Sequence, residues 1–231
     1  MTKLKFVMVT ASLLLGFFQK NTAIAQDWAN LKKYQNENSA LELHNSQNNR
    51  VVFMGNSITE GWLQANPKFF EGKPYVNRGI GGQTTPQMLL RFRQDVIDLN
   101  PKIVVILAGT NDIAENTGPI TLEQIRDNML SMVELAKANH IIPIVCSVLP
   151  AYDYPWRPGK APNIKIPKLN EMLRQMSTEH KVPYLDYFSA MVDDRNGLPA
   201  VYTTDEVHLT KEGHAVMEKL VEKAIGKVLQ E

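Results

Sequence analysis

Five residues of this chain have types that, brought together, would cleave an acyl bond: Ser57, Gly82, Asn111, Asp205 and His208. A serine hydroxyl is a weak nucleophile until a base takes its proton, and an imidazole does so near neutral pH when a carboxylate fixes its tautomer. Asp205 stands three residues before His208, close enough to reach its Nδ1–H within one turn of chain. His44, His140, His180 and His214 have no acid at that spacing and read as surface or capping residues. Ser57 follows Gly55-Asn56 at the end of an apolar run, where a tight turn would aim its hydroxyl at a substrate carbonyl and its own N–H at the developing oxyanion. Gly82 can bring a backbone N–H close to substrate because no side chain intervenes, and Asn111 can donate from its amide. Three such donors contribute several kcal/mol, a single one being worth about 3–4 kcal/mol.

Each residue also has a plainer reading. Ser57 alone would be a turn former or helix cap. Asp205 and His208 would cap the last helix, or His208 and His214 would begin a metal site. No further ligand cluster accompanies them, so no metal or cofactor is expected. Gly79-Ile80-Gly81 resembles the start of a dinucleotide fingerprint, but the third glycine falls at Thr84 and the motif fails. No G-x-x-x-x-G-K-[ST] occurs.

The elements that must position these residues follow from the hydrophobic pattern. Short apolar runs at 51–54, 75–76, 103–108, 141–149 and 182–185 are bounded by turn residues and read as five strands. Helices are predicted from Thr85-Pro86 to about 99, over 121–138 behind a Thr121/Gln124 capping box, and over 163–180 and 211–229. The polar stretch 27–47 carries Trp28, Leu31, Tyr34, Leu41 and Leu43 at loosely helical spacing and predicts one helix or two. Strands alternating with helices imply parallel pairing and a three-layer α/β/α sandwich. The run Ile103-Val104-Val105-Ile106-Leu107 lacks alternation, as a central strand covered on both faces requires. In such a sheet the ligand lies beyond the carboxyl ends of the strands. Gly55-Asn56-Ser57-Ile58-Thr59, residues 77–84, Gly109-Thr110-Asn111-Asp112 and Asp205-Glu206-Val207-His208 should therefore converge on one rim. Trp62, Tyr152, Tyr154, Trp156 and Arg157 lie near that rim in the sequence reading. They would stack on a sugar ring or line an acyl pocket, or simply pack the loops. Residues 150–162, rich in proline and aromatics, read as a loop over the end of the fourth strand.

Gly55-Asn56-Ser57-Ile58, Gly82 within residues 77–84, Gly109-Thr110-Asn111-Asp112 and Asp205-Glu206-Val207-His208 resemble, in order, the signature blocks of the SGNH hydrolases, also called GDSL lipases or esterases. The resemblance covers essentially the whole chain after residue 25. It implies a flavodoxin-like five-stranded parallel sheet, Ser57 as nucleophile, Asp205 and His208 completing a triad, and an oxyanion hole from Ser57, Gly82 and Asn111, without metal. Asn56 stands where the family most often has aspartate. Asparagine makes similar short hydrogen bonds to the turn, so activity is expected to survive. The second and third blocks look most like the branch of the platelet-activating-factor acetylhydrolase catalytic subunits and many secreted bacterial sugar-ester esterases.

Residues 1–25 read as a secretory signal peptide, with Lys3 and Lys5 before 13 apolar-rich residues (6–18) and small residues at Ala23 and Ala25. A bilayer core needs about 20 apolar residues, so a membrane anchor is not expected. The predicted organisation is a leader over 1–25 and one hydrolase domain over 26–231, exported to the periplasm or secreted. The chain has 25 basic and 24 acidic residues, and three lysines and no acid fall in the first 25. The remaining 22 basic against 24 acidic residues give no phosphate-binding surplus, and a nucleic-acid partner is not expected. Cys146 is the only cysteine, so no internal disulfide forms, and its apolar run marks it as a buried hydrophobe. The function expected is an exported serine esterase that removes acetyl or other short acyl groups from carbohydrate through an acyl-enzyme on Ser57. Its rivals are a lysophospholipase or thioesterase on the same triad, and a catalytically silent carbohydrate-binding protein.

Overall fold

The computed structural model describes residues 27–43 and 49–230, so the predicted leader and its cleavage site lie outside the described residues. The elements run α1 (Gln35–Leu43), β1 (Val51–Gly55), α2 (Ser57–Ala65), β2 (Tyr75–Gly79), α3 (Thr85–Asp95), β3 (Ile103–Leu107), α4 (Thr110–Ile113), α5 (Leu122–Ala138), β4 (Ile142–Cys146), α6 (Pro162–Glu179), β5 (Tyr184–Leu185), α7 (Phe188–Met191) and α8 (Lys211–Gln230). All five strands are parallel, in the order β2-β1-β3-β4-β5. This is the flavodoxin-like order, in which the chain reverses its direction of winding between β1 and β3.

The unalternating strands are explained by two cores. Val52 and Met54 of β1, Val104 and Ile106 of β3 and Val145 of β4 pack with α3, α5 and α6 on one face. Phe53, Val105, Leu107 and Ile144 pack with α2 and α8 on the other. Successive strand residues point to opposite faces, and here both faces are apolar.

Several boundaries differ from the sequence reading for identifiable reasons. The predicted helix over 27–47 begins only at Gln35, because Asp27 accepts the N–H groups of Leu31 and Lys32 and Asn30 adopts a left-handed backbone. β2 continues past Val76 through polar Asn77 and Arg78. The Arg78 guanidinium lies 4.5 Å from the Tyr34 ring and its Nε donates to Asn38 Oδ1, so the segment before β1 supplies the partners that let an arginine complete a strand. β4 stops at Cys146 because the Asn170 amide takes over both backbone groups of Val148. The Thr121/Gln124 capping box forms as read, and α3 is opened by Thr84 with Gln87, one residue earlier than read.

Candidate active site

The site is built where β1, β2 and β3 end. Gly55 closes β1, and a Cβ there would lie 2.0 Å from Thr59 Oγ1 and 3.1 Å from the Leu107 carbonyl, so only glycine lets the next helix start this tightly. Asn56 caps that helix, its Oδ1 accepting the Ile58 N–H at 3.0 Å, which is the turn bond expected of an asparagine in this place. Because Asn56 supplies the cap, Ser57 is left free for other contacts. Its Oγ lies 2.9 Å from His208 Nε2, and His208 Nδ1 lies 2.6 Å from Asp205 Oδ2.

The turn from Asp205 to His208 is fixed from several sides. Asp205 Oδ1 accepts the backbone N–H groups of His208 (2.7 Å) and Val207 (3.0 Å), and Thr203 Oγ1 donates to the His208 carbonyl. Glu206 between them has φ +70°, a left-handed conformation that costs a non-glycine residue on the order of 1 kcal/mol and tightens the turn. Burial works to raise the Asp205 carboxyl, but the His208 ring and these backbone donors outweigh it and hold the carboxyl below its usual range. With Nδ1–H directed at an ionised carboxylate, the Nε2 lone pair faces the Ser57 hydroxyl.

The loop that carries Gly82 comes beside the serine, since a Cβ on Gly81 would lie 3.8 Å from the Ser57 Cβ. Among the described residues no protein group accepts the N–H of Ser57 or Gly82. Gly82 has φ +75°, and a Cβ there would meet nothing within 4 Å. The left-handed backbone by itself favours glycine here, beside the expected close approach of its N–H to substrate. Asn111 lies in the single turn α4, 3% exposed, and donates from Nδ2 to the Gln83 carbonyl at 3.0 Å. That bond uses one of two amide hydrogens and ties Asn111 to the residue after Gly82. Next to it, Asp112 accepts the Thr85 N–H and hydroxyl. Burial pushes Asp112 up to about 6 against those bonds.

Two of the residues expected at the rim are not there. Trp62 is 1% exposed, packed against Phe53, Phe69 and Phe70, with its indole N–H on Glu218 Oε1 at 3.0 Å. Its place in α2 turns it toward α8, whose Glu218 satisfies the one polar atom. Tyr154 is fully buried with its hydroxyl 3.0 Å from Thr110 Oγ1. Trp156 stacks on Tyr154 (5.1 Å) and sits at the rim, its ring 6.2 Å from that of His208. Tyr152 is exposed under the Arg195 guanidinium, and Arg157 is exposed. His214 is buried, with its ring nitrogens 3.0 Å from the Thr210 carbonyl and 3.3 Å from the Ile58 carbonyl, so it braces α8 against α2. Among the described residues no group of three or more His, Cys, Asp or Glu side chains gathers around a common point.

A cavity of about 350 Å³ opens beside the serine, lined by Ser57, Ile58, Gly61, Gln64, Ala65, His208, Leu209 and His214. Sequence reasoning passed over Glu60, whose Oε2 accepts the Gly81 N–H at 2.6 Å, and Asn116, whose Nδ2 donates to the Gly82 carbonyl at 3.2 Å. Neither belongs to a recognisable spacing.

The sequence profile of the GDSL-like Lipase/Acylhydrolase family matches residues 53–216, which run from β1 into α8. The chain is similar to a Bacteroides fragilis protein assigned as an acylhydrolase, at 50% identity over 88% of this chain and 99% of that one, with a TM-score of 0.86. A GDSL-like lipase from Bacteroides thetaiotaomicron is 47% identical over 86% of this chain and 98% of its own, with a TM-score of 0.80. Human platelet-activating factor acetylhydrolase IB subunit alpha2 is 27% identical over 187 residues, 78% of each chain. With the family profile spanning every segment that meets at this rim, the chain belongs to the GDSL-like lipase/acylhydrolase family and is an ester-hydrolysing enzyme.

Proposed function

We propose that this enzyme is exported and removes acetyl or other short acyl groups from carbohydrate through an acyl-enzyme on Ser57. The observation that carries the chemistry is the unbroken chain Ser57 Oγ, His208 Nε2, His208 Nδ1, Asp205 Oδ2, at 2.9 and 2.6 Å, beside unpaired N–H donors. Ser57 Oγ attacks the ester carbonyl as its proton passes to His208 Nε2, and the oxyanion is held by the N–H groups of Ser57 and Gly82 and the Asn111 amide. The bond to the alcohol breaks as His208 returns the proton to the leaving oxygen. A water then repeats the sequence on the acyl-serine and releases the acid. Asp205 orients the imidazole and stabilises its charged form. Asp205→Asn should therefore lower turnover by less than His208→Ala does, measured on p-nitrophenyl acetate with both proteins folded; an equal or larger loss would give Asp205 a greater part than this.

Export is supported by the pattern of residues 1–25, and no helix among the described residues is long and apolar enough to cross a membrane. The short acyl group is supported by the small, solvent-open cavity with the polar Gln64 in its lining, and by the acetylhydrolase activity in the name of the human relative. The exposed indole of Trp156 beside His208 offers a flat apolar face of the kind a sugar ring stacks on. Acetate release from acetylated xylan or oligosaccharides, set against hydrolysis of a lysophospholipid and a long-chain thioester, tests the substrate class. Preference for the long chains would overturn it.

The cavity gives a second handle. Gly61 lies in α2, and a Cβ there would meet no atom within 4 Å. Gly61→Leu should fold normally, with a stability gain approaching 1 kcal/mol from helix propensity, while its side chain fills part of the cavity. The expected result is near-normal turnover of p-nitrophenyl acetate and a several-fold loss on the hexanoate. Equal effects on the two esters would mean that the acyl chain lies elsewhere.

A further inference from the structure

The rim carries a hydrogen-bonded link that the triad does not use. Trp156 Nε1–H donates to Asn116 Oδ1 at 3.0 Å, and Asn116 Nδ2–H donates to the Gly82 carbonyl at 3.2 Å. The indole at one end stacks on buried Tyr154 and lies beside His208. The glycine at the other end carries the N–H assigned above to the oxyanion hole.

We propose that Asn116 is a positioning residue that fixes the Gly82 peptide from the rim, so that Trp156 both receives the leaving alcohol and holds the oxyanion donor in line. The proposal rests on the reading of Gly82 as an oxyanion donor. The contacts around it support this. Gly81 and Gly82 are exposed, and without side chains their backbone is held only by its hydrogen bonds. Glu60 pins the Gly81 N–H on one side and Asn116 pins the Gly82 carbonyl on the other, leaving the Gly82 N–H between them without a protein acceptor. The leaving oxygen must lie within hydrogen-bond reach of His208 Nε2 to be protonated, and the exposed Trp156 indole, 6.2 Å from the His208 ring, is an apolar face within reach of the rest of the alcohol. Donor and acceptor directions run one way, from indole N–H through the amide to the carbonyl, so each bond polarises the next. The residues that follow are tied separately, through Gln83 to Asn111, Thr84 to Thr117 and Thr85 to Asp112. Loss of Asn116 therefore frees Gly82 without unfastening the loop, and the Asn116 backbone N–H keeps its bond to the Asn111 carbonyl.

The test uses Asn116→Ala, Asn116→Asp, Trp156→Phe and the Trp156→Phe/Asn116→Ala double variant of the full enzyme, with p-nitrophenyl acetate and unfolding temperature as readouts. Asn116→Ala should lower kcat about tenfold, less than loss of a whole oxyanion donor, with KM and unfolding temperature unchanged. Asn116→Asp keeps an acceptor for the indole but sets a carboxylate against the Gly82 carbonyl, and should lose at least as much. Trp156→Phe keeps a ring to stack on and removes only the N–H. It should lose a few-fold in kcat, and the double variant should be no worse than Asn116→Ala, because both act on one link. Wild-type kcat in Asn116→Ala, or losses that multiply in the double variant, would overturn the proposal. Ser57→Ala run in parallel separates the two readings: if it is inactive while Asn116→Ala is normal, the positioning role alone falls, whereas an active Ser57→Ala removes the catalytic reading beneath it.

Discussion

Ser57→Ala and His208→Ala should each lower the turnover of p-nitrophenyl acetate by roughly 10⁴-fold or more, and the double variant should be no worse than either alone. Members of a triad act as one unit, so removing the second costs little once the first is gone. The structure makes this a clean experiment. The cap on α2 comes from Asn56, so Ser57→Ala sacrifices no helix-capping bond, and both side chains are partly exposed, so truncation opens no sealed cavity. Unfolding temperatures within a degree or two of wild type are expected. Activity close to wild type in either variant would refute the assignment, and the same result would revive the reading of this chain as a silent carbohydrate-binding protein only if wild-type turnover were also absent.

Asn111→Ala should lower kcat by about 10²-fold to 10³-fold with KM nearly unchanged, because in the proposed role the hydrogen bond from its side-chain amide to the substrate strengthens only as the carbonyl oxygen becomes an anion. An oxyanion role and a purely structural role at this position predict opposite outcomes. The structure joins them, since the same Nδ2 holds the Gln83 carbonyl from a buried place. Removing a buried hydrogen bond of this kind costs about 1–2 kcal/mol, so a drop of a few degrees in unfolding temperature should accompany the kinetic loss. Assays well below the unfolding transition separate the two effects. A folded variant that retains normal kcat would show that Asn111 serves the loop and leaves the oxyanion to the two backbone donors.

What could be read from sequence was what local rules govern. The non-alternating runs required strands covered on both faces, and the rule that ligands gather at carboxyl ends of parallel strands brought residues 55–59, 77–84 and 109–112 to one rim before any contact was known. Asp205 and His208 were legible because their spacing is itself the geometry. Trp62 and Tyr154 were misplaced because an aromatic residue near a rim segment is turned inward or outward by partners far away in the chain. For Trp62 the deciding partner is Glu218, 156 residues on. The buried Arg91 was invisible for the same reason. It reaches the carbonyls of Gly55 and Arg78, Gln83 Oε1 and Asp95 Oδ2 at once, bracing the ends of β1 and β2 from below. A lone arginine in a helical pattern gives no sign of such a set. Asn116 and Glu60 hold backbone groups of a loop, and a bond to backbone leaves no signature in the types of the residues it joins.

The 151 positions that separate Ser57 from His208 have a consequence in time as well as in space. At synthesis rates of 5–20 residues per second, roughly 8–30 s pass between the emergence of the serine and that of the histidine. On the mechanism proposed above, Ser57 is an ordinary alcohol throughout that interval, because its base does not yet exist. On that mechanism the chain cannot hydrolyse an ester until His208 has been made and its turn has come to rest against Ser57. The appearance of esterase activity during refolding would then report the closing of the turn 205–208 on Ser57 more directly than any measure of helix content.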